Sequence, residues 1–241
     1  MCGRVVAATP RDVLAAHFSV DSVVGDELAF SYNAAPGASL YTVAESRSRE
    51  TGSRRLGAMR WGLVPWWAED PGRGPRPINA RAETVFSKRI FADAVERGHR
   101  CIVAVSGFFE WDRRRAEDGT PTVAGRRGAK QPYLLTAPDG FPLAMAGLWS
   151  RRSRDGEEPL VTVAIVTTHA NADVAPLHDR MPVLLHGDDL DVWLDRDTRD
   201  PARLASLLQP APAGSLVACP VDRRVNDARN DFEELLAPLR A

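Results

Sequence analysis

Lysine, cysteine and long apolar runs are all scarce in this chain of 241 residues. The only lysines are Lys88 and Lys130, so arginine supplies almost all of the positive charge. The formal net charge of -1 excludes a global basic field, so any nucleic-acid site must be a local patch. The arginine bias itself has two interpretations, phosphate binding or genome composition.

The cysteines, Cys2, Cys101 and Cys219, are too few and too widely separated for a disulfide framework or a zinc site. The histidines form no HExxH pattern, so we expect neither a metal nor another cofactor. No stretch approaches the roughly 20 apolar residues of a membrane span. The first residues, MCGRVV, also lack the apolar region of a secretory signal. We therefore expect a cytoplasmic protein with no membrane partner.

The strand and helix signals predict an α+β fold. With 44% hydrophobic residues, the chain can bury the core of a single domain, which we place at residues 1–241. Short apolar or β-branched runs predict strands, without a regular alternation of strands and long helices. The expected architecture is a mixed, mostly antiparallel, barrel-like sheet with a few flanking helices. Two polar stretches, 45–55 and 113–130, are expected to be mobile surface loops.

Helix signals are clearest in the first hundred residues. Thr9, Pro10 and Asp12 predict an N-cap, a first-turn proline and a favourable acid for a helix over residues 10–17. After Arg81, helical spacing predicts a helix that ends at Gly98. Short helices are also predicted at 188–194, at 201–208 and near the C-terminus. The predicted strands are residues 101–105, 133–136, 143–148, 160–168 and 183–186.

Cys2 carries the first chemical signal, because methionine is usually trimmed when a small residue follows it. The mature chain would then begin with an amine and a thiol on one residue, with reference pKa values of about 8 and about 8.5. An amine condenses with an aldehyde to an imine, and a neighbouring thiol can close onto that imine as a thiazolidine. The alternative is a cysteine that merely begins a strand.

Three further segments carry polar residues suited to such a site. Asn79 and Arg81 precede the predicted helix, where amide and guanidinium groups can meet an anionic ligand. Glu110 lies between two aromatic residues, which favours a raised carboxyl pKa and acid–base catalysis. His178 lies in a turn with Arg180, where a carboxylate or carbonyl can set its tautomer. Each residue also has a structural interpretation, as a helix cap, a surface ion pair, a strand-end carboxylate or a loop histidine.

A cluster of tryptophans occupies residues 61–70, with Trp66 and Trp67 adjacent in sequence. Adjacent tryptophans cannot both point inward on a strand, so at least one is expected to be exposed. Exposed aromatics beside arginine are typical of proteins that stack on unpaired bases.

The order of these motifs resembles the SRAP family, the abasic-site processing proteins also called SOS response-associated peptidases. The matching segments are MCGR, YNAAPG, WGLVPWW, INARAET, RCIVAVSGFFEW, AGLW, HDRMPV and VNDARND. The resemblance covers essentially the whole chain. It implies a thiazolidine cross-link between the N-terminal cysteine and the ring-opened sugar of an abasic site in single-stranded DNA, which shields the lesion during replication.

The resemblance also implies residue roles. By position, Cys2 is the nucleophile, Asn79 orients the opened deoxyribose, Glu110 moves protons, and His178 assists closure and reversal. Contacts with DNA are implied for Arg4, Asn33, Pro36, Trp66, Trp67, Arg81 and Arg180. The implied partner is single-stranded DNA containing abasic sites, including at junctions with duplex DNA. The resemblance further implies a monomer that is nucleoid-associated on DNA, removes its own Met1 and has DNA lyase activity.

Three alternative functions remain open at this point. Class II glutamine amidotransferases also begin with Met-Cys-Gly, but they need a glutamine pocket and usually a second domain. A cysteine peptidase acting on other chains would use Cys2 and His178. A non-catalytic single-strand binder would use the tryptophans and arginines alone.

Overall fold

A computed structural model describes residues 2–46, 54–112 and 130–239. The predicted loops at 45–55 and 113–130 therefore fall largely outside the described residues. Of the first loop, Glu45 ends one strand and Arg54 begins the next.

Strands outnumber helices in this part of the chain. The strands are β1 (Val5–Ala7), β2 (Ser22–Val23), β3 (Ser31–Ala34), β4 (Ser39–Glu45), β5 (Arg54–Trp61), β6 (Asn79–Arg81), β7 (Arg100–Val105), β8 (Gly107–Trp111), β9 (Pro132–Thr136), β10 (Leu143–Arg152), β11 (Leu160–His169), β12 (Arg180–Pro182) and β13 (Val217–Pro220). The α-helices are α1 (Arg11–His17), α2 (Arg89–Glu96), α3 (Asp188–Leu194) and α4 (Pro201–Ser206), and 3₁₀ helices cover Ala82–Thr84, Arg223–Asn226 and Glu233–Leu236.

Five strands close into a barrel. β5, β4, β7, β10 and β11 pair in that order through antiparallel ladders, and β11 returns to β5 in parallel at Thr162 and Val163. β6 adds to β11 in parallel, and β12 adds to β11 in antiparallel orientation. A second, antiparallel sheet has the order β13-β9-β8-β1-β3. The predicted α+β fold with a mixed, mostly antiparallel barrel and flanking helices is confirmed.

Side-chain alternation along the barrel strands separates two cores. One set of positions, including Ala144, Ala146 and Leu148 of β10, packs with the buried faces of the helices. The alternate set packs with the N-terminal residues and the inner face of the second sheet. On that side a Cβ at Gly147 would lie 2.8 Å from Cys101 Sγ, because neighbouring side chains already fill the space. Cys2 belongs to this second core.

Several predicted elements are confirmed with shifted boundaries, and others are corrected. Helices α1, α3 and α4, the 3₁₀ helix at Glu233–Leu236 and the helix end at Gly98 agree with prediction. Thr9 is not a helix cap, because its hydroxyl bonds to Ser106 Oγ at 2.8 Å. The helix expected after Arg81 divides into a 3₁₀ turn and α2.

The strand predicted at 183–186 is wrong, and the observed strand β12 ends at Pro182. The Val183 amide donates to Val166 of β11, whereas the Leu185 amide donates to Ala144 of β10. The segment therefore crosses between two strands and forms no continuous ladder with either.

Candidate functional site

Cys2 lies at the meeting point of the two sheets. It precedes β1, has no solvent exposure, and its carbonyl accepts a hydrogen bond of 2.8 Å from Asn79 Nδ2. Asn79 is the first residue of β6, which is fixed by its parallel pairing with β11. The structure thus brings together two residues that are 77 positions apart in sequence.

Glu110 approaches Cys2 through the pairing of β1 with β8. Val5 pairs with Phe108, and the Arg4 carbonyl accepts a bond of 2.9 Å from the Phe109 amide, so the residues before β1 run beside Glu110. The Glu110 side chain is buried. Burial raises the pKa of the Cys2 thiol, and the negative charge of Glu110 raises it further. The resting thiol is therefore protonated, and its deprotonation needs a nearby base.

The alternation of β6 gives Asn79 and Arg81 one face of the strand and places Ala80 in the core. Asn79 Oδ1 is buried and accepts no hydrogen bond from the residues that the structure describes. Arg81 is exposed, and no described side chain bonds to its guanidinium. The strand therefore presents one amide oxygen and one cation for a ligand.

His178 lies in the turn before β12 and is buried. Its Nδ1 accepts a bond of 2.9 Å from the Arg180 amide, and Asp179 Oδ1 lies 2.7 Å from the same nitrogen. The two contacts require opposite protonation of Nδ1. We favour the backbone bond, because Asp179 is largely exposed to water. The neutral imidazole then carries its proton on Nε2. The adjacent Leu177 packs in the same core as Cys2.

Arg180 has protein partners on both terminal nitrogens. It pairs with Glu83 through two hydrogen bonds, and Nη2 also donates to the Thr167 carbonyl at 2.7 Å. These hydrogen bonds from Arg180 hold the pKa of Glu83 at about 2, and His169 Nε2 lies 3.1 Å from the same carboxylate. Arg180 thus ties β12 and β11 to the 3₁₀ turn after Arg81. Its expected DNA contact stays a prediction, and would require Glu83 to be displaced.

Arg4 and Asn33 likewise bond within the protein. Arg4 Nη1 donates to Asn33 Oδ1 at 2.7 Å and to the Val225 carbonyl at 2.9 Å. The Asn33 amide donates to three carbonyls of the C-terminal segment, at Val225, Asp227 and Asn230. Asn33 is only 1% exposed, so little of it is accessible to DNA. These contacts anchor the segment between Cys2 and β1 against the VNDARND motif.

Trp66 and Trp67 form an exposed turn, as the sequence predicts for at least one of them. Their exposed fractions are 46% and 44%. Arg97 lies 4.5 Å from the centroid of the Trp66 ring, and Arg89 lies 5.2 Å from that of Trp67. Pro36 is exposed in the turn between β3 and β4. All three residues are accessible to a ligand, and their contacts with DNA stay predictions.

Glu83 is a further residue of the site, for which the sequence patterns predicted no role. Its signal was available: an acid two residues after Arg81, inside the INARAET motif. Its partner Arg180 lies 97 positions later, so only the pairing of β11 with β6 and β12 shows the contact. Among the described residues, no group of three His, Cys, Asp or Glu side chains could hold a metal ion. No helix in the same residues is long and apolar enough to cross a membrane.

Comparison with known proteins places the chain in a family. The sequence model described as SOS response associated peptidase (SRAP) matches residues 1–228. "Abasic site processing protein YoqW" of Bacillus subtilis (strain 168) is 34% identical over 237 residues, covering 98% of this chain and 99% of that protein. "Abasic site processing protein HMCES" of Gallus gallus is 32% identical over 236 residues, covering 87% and 66% respectively.

A solved structure shows the same fold. The crystal structure of a Bacteroides thetaiotaomicron protein, 24% identical, gives a TM-score of 0.79 over 99% of this chain and 100% of the other. Two findings show the family: the sequence model matches most of the chain, and the Bacillus relative is 34% identical. The chain belongs to the SRAP, or SOS response associated peptidase, family.

Proposed function

We propose that this protein captures abasic sites in single-stranded DNA covalently, through the amine and thiol of Cys2 after Met1 has been removed. The relatives' names, abasic site processing protein, support the substrate class. The single observation that carries the proposal is the position of Cys2. Its carbonyl accepts a hydrogen bond from the Asn79 side chain, and the negative charge of Glu110 acts on its thiol.

The chemistry needs no cofactor. The ring-opened abasic sugar has an aldehyde carbon, which the Cys2 amine attacks to form a carbinolamine. Loss of one water gives the imine. The thiol sulfur then adds to the imine carbon, and its proton is transferred to nitrogen, which closes the thiazolidine. The balance is one aldehyde and one aminothiol consumed, one water released and no oxidant or reductant required.

The surrounding residues supply the proton transfers and the orientation. Because the Cys2 thiol has a raised pKa, we assign Glu110 as the base that removes its proton during ring closure. We assign the unpartnered Oδ1 of Asn79 to a hydroxyl of the opened sugar. His178, with its proton on Nε2, would donate to the departing or returning sugar oxygen.

Removal of Met1 is part of the proposal for two reasons. The thiazolidine requires a free amine on Cys2, and the Cys2 nitrogen is part of a peptide bond as long as Met1 is attached. The Cys2 side chain is also buried, so its thiol lies next to that first peptide bond and away from solvent. We infer that the Cys2 thiol, aided by Glu110, removes Met1 by hydrolysis of the first peptide bond.

The exposed residues around the site would bind the DNA. We assign Arg81 to phosphate, Trp66 and Trp67 to stacking on unpaired bases, and Pro36 to the strand, because all four are exposed. We propose a monomer that binds single-stranded DNA, including the strand next to a duplex junction, with lyase cleavage of the strand as a competing reaction.

The test incubates purified protein with a single-stranded oligonucleotide that contains one abasic site, followed by denaturing electrophoresis and mass spectrometry. We expect an adduct equal in mass to the protein without Met1 plus the DNA minus one water. Cys2→Ala should abolish it, whereas Cys219→Ala, which removes another free cysteine, should not. An equal yield from Cys2→Ala would overturn the proposal, and so would an adduct that retains Met1.

A further inference from the structure

A concave site, which we call the arginine cavity, lies beside the strand that carries Asn79. Its volume is about 330 Å³, and Ile78, the residue before Asn79, forms part of its wall. Arg60 of β5 and Arg76, which precedes β6, both line it. Both arginines are exposed, and neither guanidinium has a hydrogen-bond or ion-pair partner in residues 2–46, 54–112 and 130–239.

The walls of the arginine cavity are partly apolar, and a hydrogen bond joins two of its sides. Trp61 is 1% exposed, and its Nε1 donates to the Ile78 carbonyl at 3.0 Å, which joins the two sides. Gly37 and Gly62 have positive φ values of 95° and 124°, so the chain turns there without side chains that would fill the space. A Cβ at Gly37 would lie 3.9 Å from Arg60 Nη2.

The charged residues that line the arginine cavity are of one sign. No acidic residue is among the described residues that line it. The nearest acid in sequence is Asp70, which already accepts a bond of 2.6 Å from the Gly72 amide and lies 3.7 Å from Arg73. Two unpaired guanidinium groups without a facing carboxylate favour an anion, and the planar fork of arginine suits phosphate.

The anion must also fit the apolar walls and the neighbouring site. A volume of this size is at the low end of small-ligand sites, about 300 Å³, and leaves room for a sugar or base beside a phosphate. Ile78 connects the cavity to Asn79, which bonds to Cys2. We propose that the arginine cavity holds the nucleotide next to the abasic site in the same DNA strand, with Arg60 and Arg76 binding its phosphodiester. This inference rests on the proposed function.

The test compares two double variants by fluorescence anisotropy, with intact and abasic single-stranded oligonucleotides at several salt concentrations. Arg60→Gln/Arg76→Gln should weaken binding roughly tenfold. It should also reduce the slope of log K against log salt by about 0.7 for each phosphate that is no longer bound. The control, Arg151→Gln/Arg154→Gln, removes two exposed arginines outside the cavity lining and should change neither quantity. Equal effects of the two double variants would overturn the proposal.

The position of the bound nucleotide is tested with oligonucleotides that end at the abasic site on one side or the other. The wild type and Arg60→Gln/Arg76→Gln should bind one of these two oligonucleotides with equal affinity, because it lacks the nucleotide that would occupy the cavity. If the ratio of wild-type affinity to variant affinity were the same on both oligonucleotides as on the uncut strand, the assignment to a flanking nucleotide would be wrong.

The DNA concentration that gives half of the maximal cross-link yield separates this inference from the proposed function. Arg60→Gln/Arg76→Gln should need roughly tenfold more DNA than the wild type, whereas Arg151→Gln/Arg154→Gln should need the same amount. If the wild type forms no adduct, the proposed function fails, and the affinities for intact DNA still decide whether the cavity binds the strand.

Discussion

Two groups of arginines in this protein differ in the hydrogen-bond partners of their guanidinium groups. The internally bonded arginines donate to protein acceptors and include Arg4, Arg100 and Arg180. The unpaired arginines have no hydrogen-bond or ion-pair partner among the residues described and include Arg60, Arg76 and Arg81. An internally bonded arginine must break protein contacts before it can bind phosphate, whereas an unpaired one need not. The difference separates arginines that are fixed within the fold from arginines whose guanidinium groups are available to a ligand.

Arg100 is the extreme case of internal bonding. It is 1% exposed and donates to backbone carbonyls at the ends of α2 and α3, on Val95, Trp193, Asp195 and Thr198. Burial lowers its pKa to about 10, so it remains a cation at neutral pH. It satisfies carbonyls that the helix ends leave without partners.

The largest effect is therefore expected for Arg100→Met. Without the guanidinium, the buried carbonyls lose their donors, and we expect a loss of roughly 3 kcal/mol in the free energy of unfolding. Urea denaturation followed by tryptophan fluorescence measures it. The control, Arg151→Met, removes an exposed arginine of β10 and should cost less than about 0.5 kcal/mol. Similar losses in the two variants would show that internal bonding contributes nothing at Arg100.

A smaller, pH-dependent effect is expected for Glu83→Gln, which leaves the largely buried Arg180 without its carboxylate. Because the Glu83 side chain is 40% exposed, solvent screening limits the expected loss at pH 7 to roughly 1 kcal/mol. The folded pKa of about 2 lies below the ordinary 4.5, so the carboxylate stabilises the fold above about pH 4.5. This contribution is lost as the pH falls towards 2.

The measurement for Glu83 is the difference in unfolding free energy between the wild type and Glu83→Gln across that pH range. Asp227→Asn is the control, because hydrogen bonds from Arg229 also hold the pKa of Asp227 at about 2, but on the open surface. We expect no measurable change in the unfolding free energy of Asp227→Asn, since water can replace Asp227 as the partner of Arg229. A wild-type advantage that persisted unchanged at pH 2 would exclude the ion pair as its source.

The contrast between the arginine groups also explains what the sequence could predict. Periodicity and turn residues were enough for the α+β class, and for Gly98 as a helix end, because these depend on local chemistry. The family motifs identified Cys2, Asn79, Glu110 and His178, and the fold joins the first three. The sequence could not distinguish the surroundings of Arg180 from those of Arg81, since each lies within a family motif, HDRMPV and INARAET respectively. Their difference comes from Glu83, whose contact with Arg180 depends on long-range strand pairing.

The smallest effect, and the sharpest test of the comparison, concerns Arg4 and Arg81 in DNA binding. Arg81→Gln should lower the slope of log K against log salt by about 0.7, because the variant binds one phosphate fewer. Arg4→Gln should leave that slope unchanged and slow cross-linking at saturating DNA, since the strand of Cys2 loses its anchor at Asn33 and Val225. Salt titrations and single-turnover cross-linking rates measure the two quantities separately. A lower slope for Arg4→Gln would instead make Arg4 a phosphate ligand, and internal bonding would then no longer separate the two groups.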